Sequence, residues 1–203
     1  MCARYDFDDD SRERLEAFLS GLPAFSKKAA ALGTLRSFPS GEVRPSDRAP
    51  VLVRGEHAGE IGLSFPLWGF PGVSKGLVIN ARAETAAQKP MFAAALAGGR
   101  CAIPAGDFFE WNKAKEKVAF VREEAPLLFL AGIEKPYPQG TRFCILTTAA
   151  NESVRPVHER MPLVLLGSQV VPWILDDQKT SEILTQVPGA LKRRQDYEQL
   201  SLF

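Results

Sequence analysis

The fold is decided by the stretch LLFLAGIEKPYPQGTRFCILTT, residues 127–148, in which two apolar runs flank a segment that carries two prolines and a glycine. Short apolar runs bounded by turn residues are typical of buried β-strands. We therefore predict strands over residues 127–133 and 142–148, with a connection between them that breaks the regular pattern.

The same pattern of short apolar runs between proline and glycine predicts further strands at 2–7, 51–54, 59–65, 76–80, 101–104, 118–122 and 163–166. Helical spacing is rarer. Leu15, Phe18, Leu19 and Leu22 share one helical face after an acidic start in which Asp10 and Glu13 have capping-box spacing; 90–97 and 180–186 predict two more helices. Many strands and few helices predict a compact α+β domain on a strongly curved, barrel-like, mostly antiparallel sheet with a few flanking helices. We place this domain at 1–189 and a charged tail at 190–203.

Composition excludes several classes of function. The chain has 203 residues, 45% of them hydrophobic, and a net charge of +1, so it suits one globular domain without a global basic field for nucleic acid. Three widely spaced cysteines and two histidines, without CxxC or HxxxH pairs, predict neither disulfides nor a metal site, and we expect no cofactor. The absence of an 18-residue apolar stretch or a signal peptide predicts a cytoplasmic protein that contacts no membrane.

Cys2 is the first candidate for chemistry. Removal of Met1 would leave an α-amine and a thiol on adjacent carbons, and an α-amine has an ordinary pKa of about 7.7–8.0. Such an amine can attack an aldehyde to form an imine, and the thiol can then close a thiazolidine ring. A small residue that stands at position 2 by chance is the alternative. Cys101 and Cys144 lie in apolar strand patterns and are expected to be inert core thiols.

Asn80, Arg82 and Glu84 form the second candidate cluster. They alternate along a predicted strand, so all three are expected on one face. Polar groups on one face either line a site or form a solvated edge. If they line a site, the planar fork of Arg82 suits a phosphate.

Glu110 and His158 are candidates for proton transfer. Glu110 follows Phe109 and precedes Trp111, and burial among aromatics raises the pKa of a carboxyl group toward a useful value. His158 lies in a proline-flanked loop ahead of a predicted strand, where loops often carry catalytic groups. An ordinary surface acid and a loop histidine with one hydrogen bond are the alternatives.

Several segments together resemble one family, the SRAP domain, whose members process abasic sites and crosslink to single-stranded DNA. The segments stand in the family's order and reach from residue 1 to about residue 166. They are MCAR (1–4), WG (68–69), NARAET (80–85), RCAIPA (100–105), FEW (109–111), TTAAN (147–151) and HERMP (158–162).

The resemblance implies an SRAP fold and a residue-level mechanism. It implies that Cys2 forms a thiazolidine with the ring-opened abasic aldehyde, that Asn80 helps to place the amine and sugar, and that Glu110 shuttles protons. It further implies that His158 promotes sugar opening and crosslink reversal, with possible autoproteolytic removal of Met1 and a weak lyase activity. The expected DNA contacts are Arg4, Arg82 and Arg160, with Trp68 and Pro45 as an apolar wedge; a half-buried core aromatic is the alternative for Trp68.

The C-terminal residues Gln199, Leu200, Ser201, Leu202 and Phe203 resemble the pentapeptide that docks bacterial proteins on the replicative sliding clamp. Gln199, Leu200, Leu202 and Phe203 would make the contacts and bring the protein to replication forks on the nucleoid. A terminal strand that folds back onto the core is the alternative.

Three hypotheses for function follow. The first is a monomer that captures abasic sites in single-stranded DNA in the DNA damage and SOS response. The second is a cysteine peptidase or amidase with Cys2 as nucleophile and His158 as base. The third is a single-stranded-DNA-binding module without catalysis.

Overall fold

The structure is a computed structural model that describes residues 2–26, 29–73, 76–123 and 127–194. The helices are α1 (Asp9–Ser20), α2 (Ala29–Arg36), α3 (Ala83–Ala86), α4 (Pro90–Gly98), α5 (Val170–Leu175) and α6 (Thr180–Thr185). The strands are β1 (Arg4–Phe7), β2 (Gly41–Val43), β3 (Val51–Arg54), β4 (Ile61–Ser64), β5 (Leu67–Trp68), β6 (Phe70–Pro71), β7 (Leu77–Val78), β8 (Asn80–Arg82), β9 (Arg100–Ala105), β10 (Phe108–Trp111), β11 (Lys117–Val121), β12 (Leu128–Lys135), β13 (Arg142–Ala149), β14 (Arg160–Pro162), β15 (Val164–Leu165) and β16 (Lys192–Arg194).

Two sheets carry the domain, and a small hairpin of β6 and β7 is attached to them. The larger sheet runs β14-β13-β12-β9-β3-β4, with β15 on β12 and with β5 and β8 on β13. The smaller sheet runs β16-β11-β10-β1-β2. Most pairs are antiparallel, while β5 and β8 pair with β13 in parallel. The expected α+β class is therefore confirmed, with two twisted sheets that do not close into a barrel.

The hairpin of β12 and β13 forms the centre of the larger sheet, and Gly132 makes its close packing possible. Gly132 pairs with Ile145, and the opposite edge of β12 pairs with β9. A Cβ atom at Gly132 would overlap the Cδ1 atom of Ile103 and lie 3.0 Å from the carbonyl oxygen of Cys144. Only glycine fits there without a shift of the neighbouring strands. The stretch 127–148 thus forms β12 and all of β13 except its last residue.

Helix α1 begins earlier than the capping-box pattern suggested. Asp8, rather than Asp10, is the N-cap: its Oδ1 atom accepts from the backbone N–H of Ser11 at 2.8 Å and from the Ser11 hydroxyl at 2.6 Å. This bond satisfies one of the donors that every helix start leaves open. The Asp10–Glu13 interpretation was therefore wrong by two residues, while the apolar face through Leu15 and Leu19 is buried as expected.

Three helices (α2, α3 and α5) and six strands (β2, β5, β6, β10, β14 and β16) were not predicted. Helices α2 and α5 lie in segments without a strong helical period, and packing against the sheets supports them. Strand β16 lies within the range expected to be tail. It pairs with β11, and Arg194 donates to Asp107 Oδ2 at 2.8 Å. The sheet therefore continues to Arg194, five residues beyond the boundary set at residue 189.

An aromatic stack joins the two sheets. Trp68 on β5 lies between Tyr5 of the smaller sheet, with ring centroids 5.3 Å apart, and Phe143 of the larger sheet, at 6.1 Å. All three side chains are fully buried. The stack holds the N-terminal strand against the centre of the larger sheet, and the candidate site lies at this junction. Within the described residues, no helix is long and apolar enough to cross a membrane.

Candidate active site

Cys2 lies directly ahead of β1, which is an interior strand of the smaller sheet. Strand β1 pairs with β10 in the register Arg4↔Phe109, which places Glu110 opposite Ala3, one residue from Cys2. Cys2 is fully buried, and its Sγ atom donates to the carbonyl oxygen of Arg4 at 3.5 Å. Burial raises the pKa of the Cys2 thiol far above its ordinary range, and the nearby negative charge of Glu110 raises it further. The resting nucleophile is therefore a thiol and not a thiolate.

Asn80 anchors the Cys2 backbone from the other sheet. It begins β8, which lies parallel to β13 with Asn80 opposite Ile145. Its Nδ2 atom donates to the carbonyl oxygen of Cys2 at 2.7 Å, across 78 residues of sequence. This bond fixes where the atoms of residue 2 lie relative to the larger sheet.

Glu110 lies beneath the Cys2 segment with only 2% of its surface exposed. Burial raises the pKa of its carboxyl group, and the positive charge of His158 opposes part of that rise. A carboxyl group whose pKa is moved toward neutrality can both accept and donate a proton under working conditions. The side chains of Cys2, Glu110 and His158 therefore interact electrostatically within one site.

His158 is half-buried in the connection between β13 and β14. Its Nδ1 atom lies 2.9 Å from the backbone nitrogen of Arg160 and 3.0 Å from the carbonyl oxygen of the same residue. Unprotonated Nδ1 can accept from that N–H, and protonated Nδ1 can donate to that carbonyl. The ring therefore keeps a partner in either protonation state.

Arg4 belongs to a charged cluster that the sequence did not reveal. Glu42 accepts from Arg4 at 3.0 Å, from Arg44 at 2.9 Å and from Lys117 at 2.6 Å. The Arg4 guanidinium also lies 5.3 Å from the Trp111 ring centroid. Three cations around one carboxylate leave an excess of positive charge within these four side chains. No local pattern could have shown the contacts of Glu42 with Arg4 and Lys117, because these two residues lie on other strands, β1 and β11.

The remaining predicted arginines differ in their surroundings. Arg82 ends β8 with an exposed side chain. Arg160, in contrast, is bound within the protein: both terminal nitrogens donate to the carboxylate of Glu84, at 2.6 and 2.9 Å. Glu84 lies on α3 rather than on the strand, so the expectation that Asn80, Arg82 and Glu84 share one strand face was wrong. The strand ends at Arg82, and a helical turn follows.

Trp68 is not a surface wedge, and the expectation of a DNA contact there was wrong. Its indole is 0% exposed and donates from Nε1 to the carbonyl oxygen of Ile79 at 3.0 Å. Pro45 is half-buried in the turn after β2. Among the large apolar side chains described, Val73 is the most exposed, in the turn of the β6–β7 hairpin that leads to Asn80. The sequence around Val73, a single valine between Gly72 and Ser74, does not indicate that its side chain is exposed.

The remaining expectations from the sequence concern metal ions, the other two cysteines and the C-terminal tail. Within the described residues, no group of three or more histidine, cysteine or acidic side chains could hold a metal ion. Cys101 and Cys144 are free and buried in the core, as expected. The tail residues Gln199, Leu200, Leu202 and Phe203 lie outside the described part of the chain.

Comparison with known proteins identifies the family. The family model described as SOS response associated peptidase (SRAP) matches residues 1–200. The abasic site processing protein YedK of Escherichia coli is 32% identical over 157 residues, which cover 71% of each chain. The abasic site processing protein YoqW of Bacillus subtilis is 30% identical over 149 residues, which cover 67% of this chain and 66% of that protein.

Solved structures agree on the fold. A crystal structure of a protein from Bordetella bronchiseptica superposes with a TM-score of 0.72 at 23% identity, over 95% of this chain and 98% of the other. A protein from Bacteroides thetaiotaomicron gives the same TM-score at 18% identity, over 90% of this chain and 86% of the other. With a family model that covers nearly the whole sequence and homologues named for abasic site processing, the chain belongs to the SRAP family.

Proposed function

We propose that this protein captures abasic sites in single-stranded DNA as a covalent adduct on Cys2. The observation that carries the proposal is the convergence of Cys2, Asn80, Glu110 and His158, which four separate segments bring to the junction of the two sheets. A protein that reacts with the aldehyde of an abasic sugar needs a nucleophile, a proton shuttle and a group that opens the sugar ring. These four residues offer all three.

The first step is imine formation. Removal of Met1 gives Cys2 a free α-amine, whose nitrogen attacks the aldehyde carbon of the ring-opened sugar. The nitrogen loses its protons, the carbonyl oxygen leaves as water, and a C=N bond remains. Glu110 can take a proton from the amine and return one to the leaving oxygen, because burial raises its pKa.

The second step closes the ring. The Cys2 sulfur adds to the imine carbon, its proton passes to the imine nitrogen, and a five-membered thiazolidine results without any oxidant or reductant. Because burial raises the pKa of the thiol, a base must help to remove its proton, and we assign that role to Glu110, whose charge acts on Cys2. The bond from Asn80 to the Cys2 carbonyl holds the amine and thiol in place during both steps.

His158 acts on the sugar. The abasic sugar is mostly a closed ring, and opening it requires proton transfer at its ring oxygen and its hydroxyl group. A half-buried imidazole with a fixed Nδ1 contact can provide that transfer through Nε2. If the carbon next to the imine loses a proton before the thiol closes the ring, the 3′ phosphate can leave by β-elimination and the strand breaks, so a weak lyase activity belongs to the same proposal.

The direct test uses single-stranded DNA that carries one abasic site, on a denaturing gel. Protein whose Met1 is shown by intact mass to be removed is expected to give a shifted covalent band, and the same DNA without the abasic site is expected to give none. Absence of the band with an unblocked Cys2 would contradict the proposal.

Arg82 is expected to contact a phosphate, because it is exposed at the end of β8, two residues from Asn80. Arg82→Ala is predicted to weaken binding to non-abasic single strands of every sequence alike. The slope of log affinity against log salt should lose about 0.7 in magnitude, the value for one phosphate on a single strand. Fluorescence anisotropy at several salt concentrations measures both.

A matched control is Arg36→Ala, which also removes one surface arginine but from α2, where it pairs with Glu16 at 3.1 Å. It should leave the salt slope unchanged. Equal slopes for Arg82→Ala and wild type would remove Arg82 from the DNA path.

Peptidase chemistry is the second hypothesis. A cysteine peptidase needs a thiolate beside an imidazolium, and the raised pKa of Cys2 works against it. A stable DNA band that disappears on replacement of Cys2 separates capture from both peptidase activity and simple strand binding. Self-removal of Met1 is compatible with capture, because it supplies the amine that the first step needs.

The C-terminal tail is proposed to bind the sliding clamp. Strand β16 is the edge of the smaller sheet and ends at Arg194, five residues before Gln199. A chain that lacks Leu202 and Phe203 is predicted to lose measurable clamp affinity in surface plasmon resonance, since apolar anchors supply most of the binding of such peptides. Deletion should not change the crosslinking rate on free DNA. Unchanged clamp affinity would refute this role.

A further inference from the structure

The Arg160 side chain makes several hydrogen bonds within the protein. Its two terminal nitrogens donate to the Glu84 carboxylate, and one of them also donates to the carbonyl oxygen of Thr147 at 2.6 Å. The side chain is only 18% exposed. Thr147 is itself buried, and its hydroxyl donates to the carbonyl oxygen of Ala81. The network therefore ties α3, β8, β13 and β14 together.

The backbone of Arg160 connects this network to His158, the residue proposed to act on the sugar. The same residue presents both its N–H and its carbonyl oxygen to His158 Nδ1, at 2.9 and 3.0 Å. Arg160 pairs with Ala149 across β13 and β14, so its backbone belongs to the sheet and is also tethered by its side chain. The residue whose side chain Glu84 binds is therefore the same residue whose backbone contacts the imidazole.

A phosphate would have to compete with Glu84 for the same two nitrogens. The Arg160–Glu84 pair is bidentate, which is the strongest arrangement that an arginine and a carboxylate adopt. This pair also holds the pKa of the Glu84 carboxyl group below its ordinary value, first through the hydrogen bond from Arg160. Glu84 therefore stays ionised at neutral pH, and the pair persists where the proposed reaction occurs.

We propose that Glu84 is a positioning residue for His158: it clamps the Arg160 side chain, and the Arg160 backbone then keeps Nδ1 engaged so that proton exchange with the sugar falls to Nε2. This inference rests on the proposed capture of abasic sites for its kinetic consequence. Its structural core, the orientation of the imidazole, can be tested without DNA.

The test begins with the histidine signals. The chain has two histidines, so ¹⁵N–¹H spectra of the imidazoles show His158 beside His57, which lies in a separate turn. Wild type is expected to show a His158 Nδ1 resonance that is shifted by its hydrogen bond to the Arg160 backbone. Glu84→Ala is expected to move that resonance toward the value of an unbonded ring nitrogen while the His57 signals stay unchanged. An unchanged His158 spectrum would overturn the proposal.

Single-turnover crosslinking provides the second readout. Glu84→Ala is expected to lower the maximal rate about tenfold, a part of what acid–base catalysis contributes, with the apparent affinity for abasic DNA unchanged. Glu84→Gln keeps one acceptor for Arg160 and should fall between the two. In a His158→Gln background, Glu84→Ala should cost nothing more, because residues that act through one another are not additive.

The matched control is a second acid that pairs with an arginine near His158. Glu152→Ala removes an acid that pairs with Arg155 at 2.7 Å in the same connection, and it should change neither readout. Tighter binding of non-abasic single strands by Glu84→Ala would show instead that Glu84 blocks a phosphate site. An equal tenfold loss in the His158→Gln background would also overturn the proposal. If wild type forms no crosslink, the capture proposal fails, and the imidazole spectra still decide the role of Glu84.

Discussion

Replacing Cys2 with alanine is expected to reduce the covalent complex with abasic-site DNA to background on a denaturing gel. The variant keeps an α-amine once Met1 is removed, so an imine can still form, but no thiol is present to close the ring. The imine then hydrolyses during denaturation. Adding borohydride during the reaction should restore a band, because reduction converts the imine into a stable amine. The pair of gels therefore separates the contribution of the amine from that of the sulfur.

The matched control is Cys101→Ala, which removes a thiol that is equally buried but lies on β9. It should retain the covalent band without a reductant. Each truncation removes one buried atom and is expected to cost on the order of 1 kcal/mol of stability, so both proteins should remain folded by circular dichroism. A band that persists in Cys2→Ala without borohydride would move the reaction to another nucleophile.

Trp68→Ala is expected to lower the free energy of unfolding by about 3–5 kcal/mol, the cost of removing a large aromatic side chain from a core. The indole fills the space between the two sheets, against Tyr5 and Phe143, and its N–H is bonded to Ile79. Urea denaturation followed by circular dichroism measures the loss. Trp68→Phe keeps part of the ring contacts but loses the hydrogen bond, so its cost should be smaller.

Val73→Ser provides the comparison, because Val73 is an exposed apolar side chain in the described part of the chain. Its effect on stability should be within about 0.5 kcal/mol, as for most surface substitutions. A stability loss of that small size for Trp68→Ala, together with weaker DNA binding, would restore the surface wedge that the sequence suggested for Trp68.

The candidate site shows how far sequence reasoning reaches. The identities of Cys2, Asn80, Glu110 and His158 were recognisable because each stands in a short motif whose order matches the family. The structure adds the bond from Asn80 to the Cys2 carbonyl and the burial of Glu110. Those contacts depend on which segments meet in space, and no property of one segment contains that information.

Charge partners were the least predictable feature. Glu42 joins Arg4 and Lys117 across separations of 38 and 75 residues, and Glu84 meets Arg160 across 76. An arginine in a sequence motif looks equally suited to a phosphate and to a carboxylate, since its fork fits both. Only the position of the acid distinguishes Arg160, which is bound internally, from the exposed Arg82.

By itself, the sequence determined the α+β class, the two central strands within residues 127–148, and the apolar face of α1. Local periodicity encodes these features, because alternation and helical spacing reflect which side chains one element buries. The tertiary structure alone decided that Trp68 is buried, that Glu84 lies on a helix, and that β16 completes a sheet edge. The physical reason is that burial, ion pairing and the support of weak elements such as α2 all depend on partners distant in the chain. A local sequence pattern does not identify those partners.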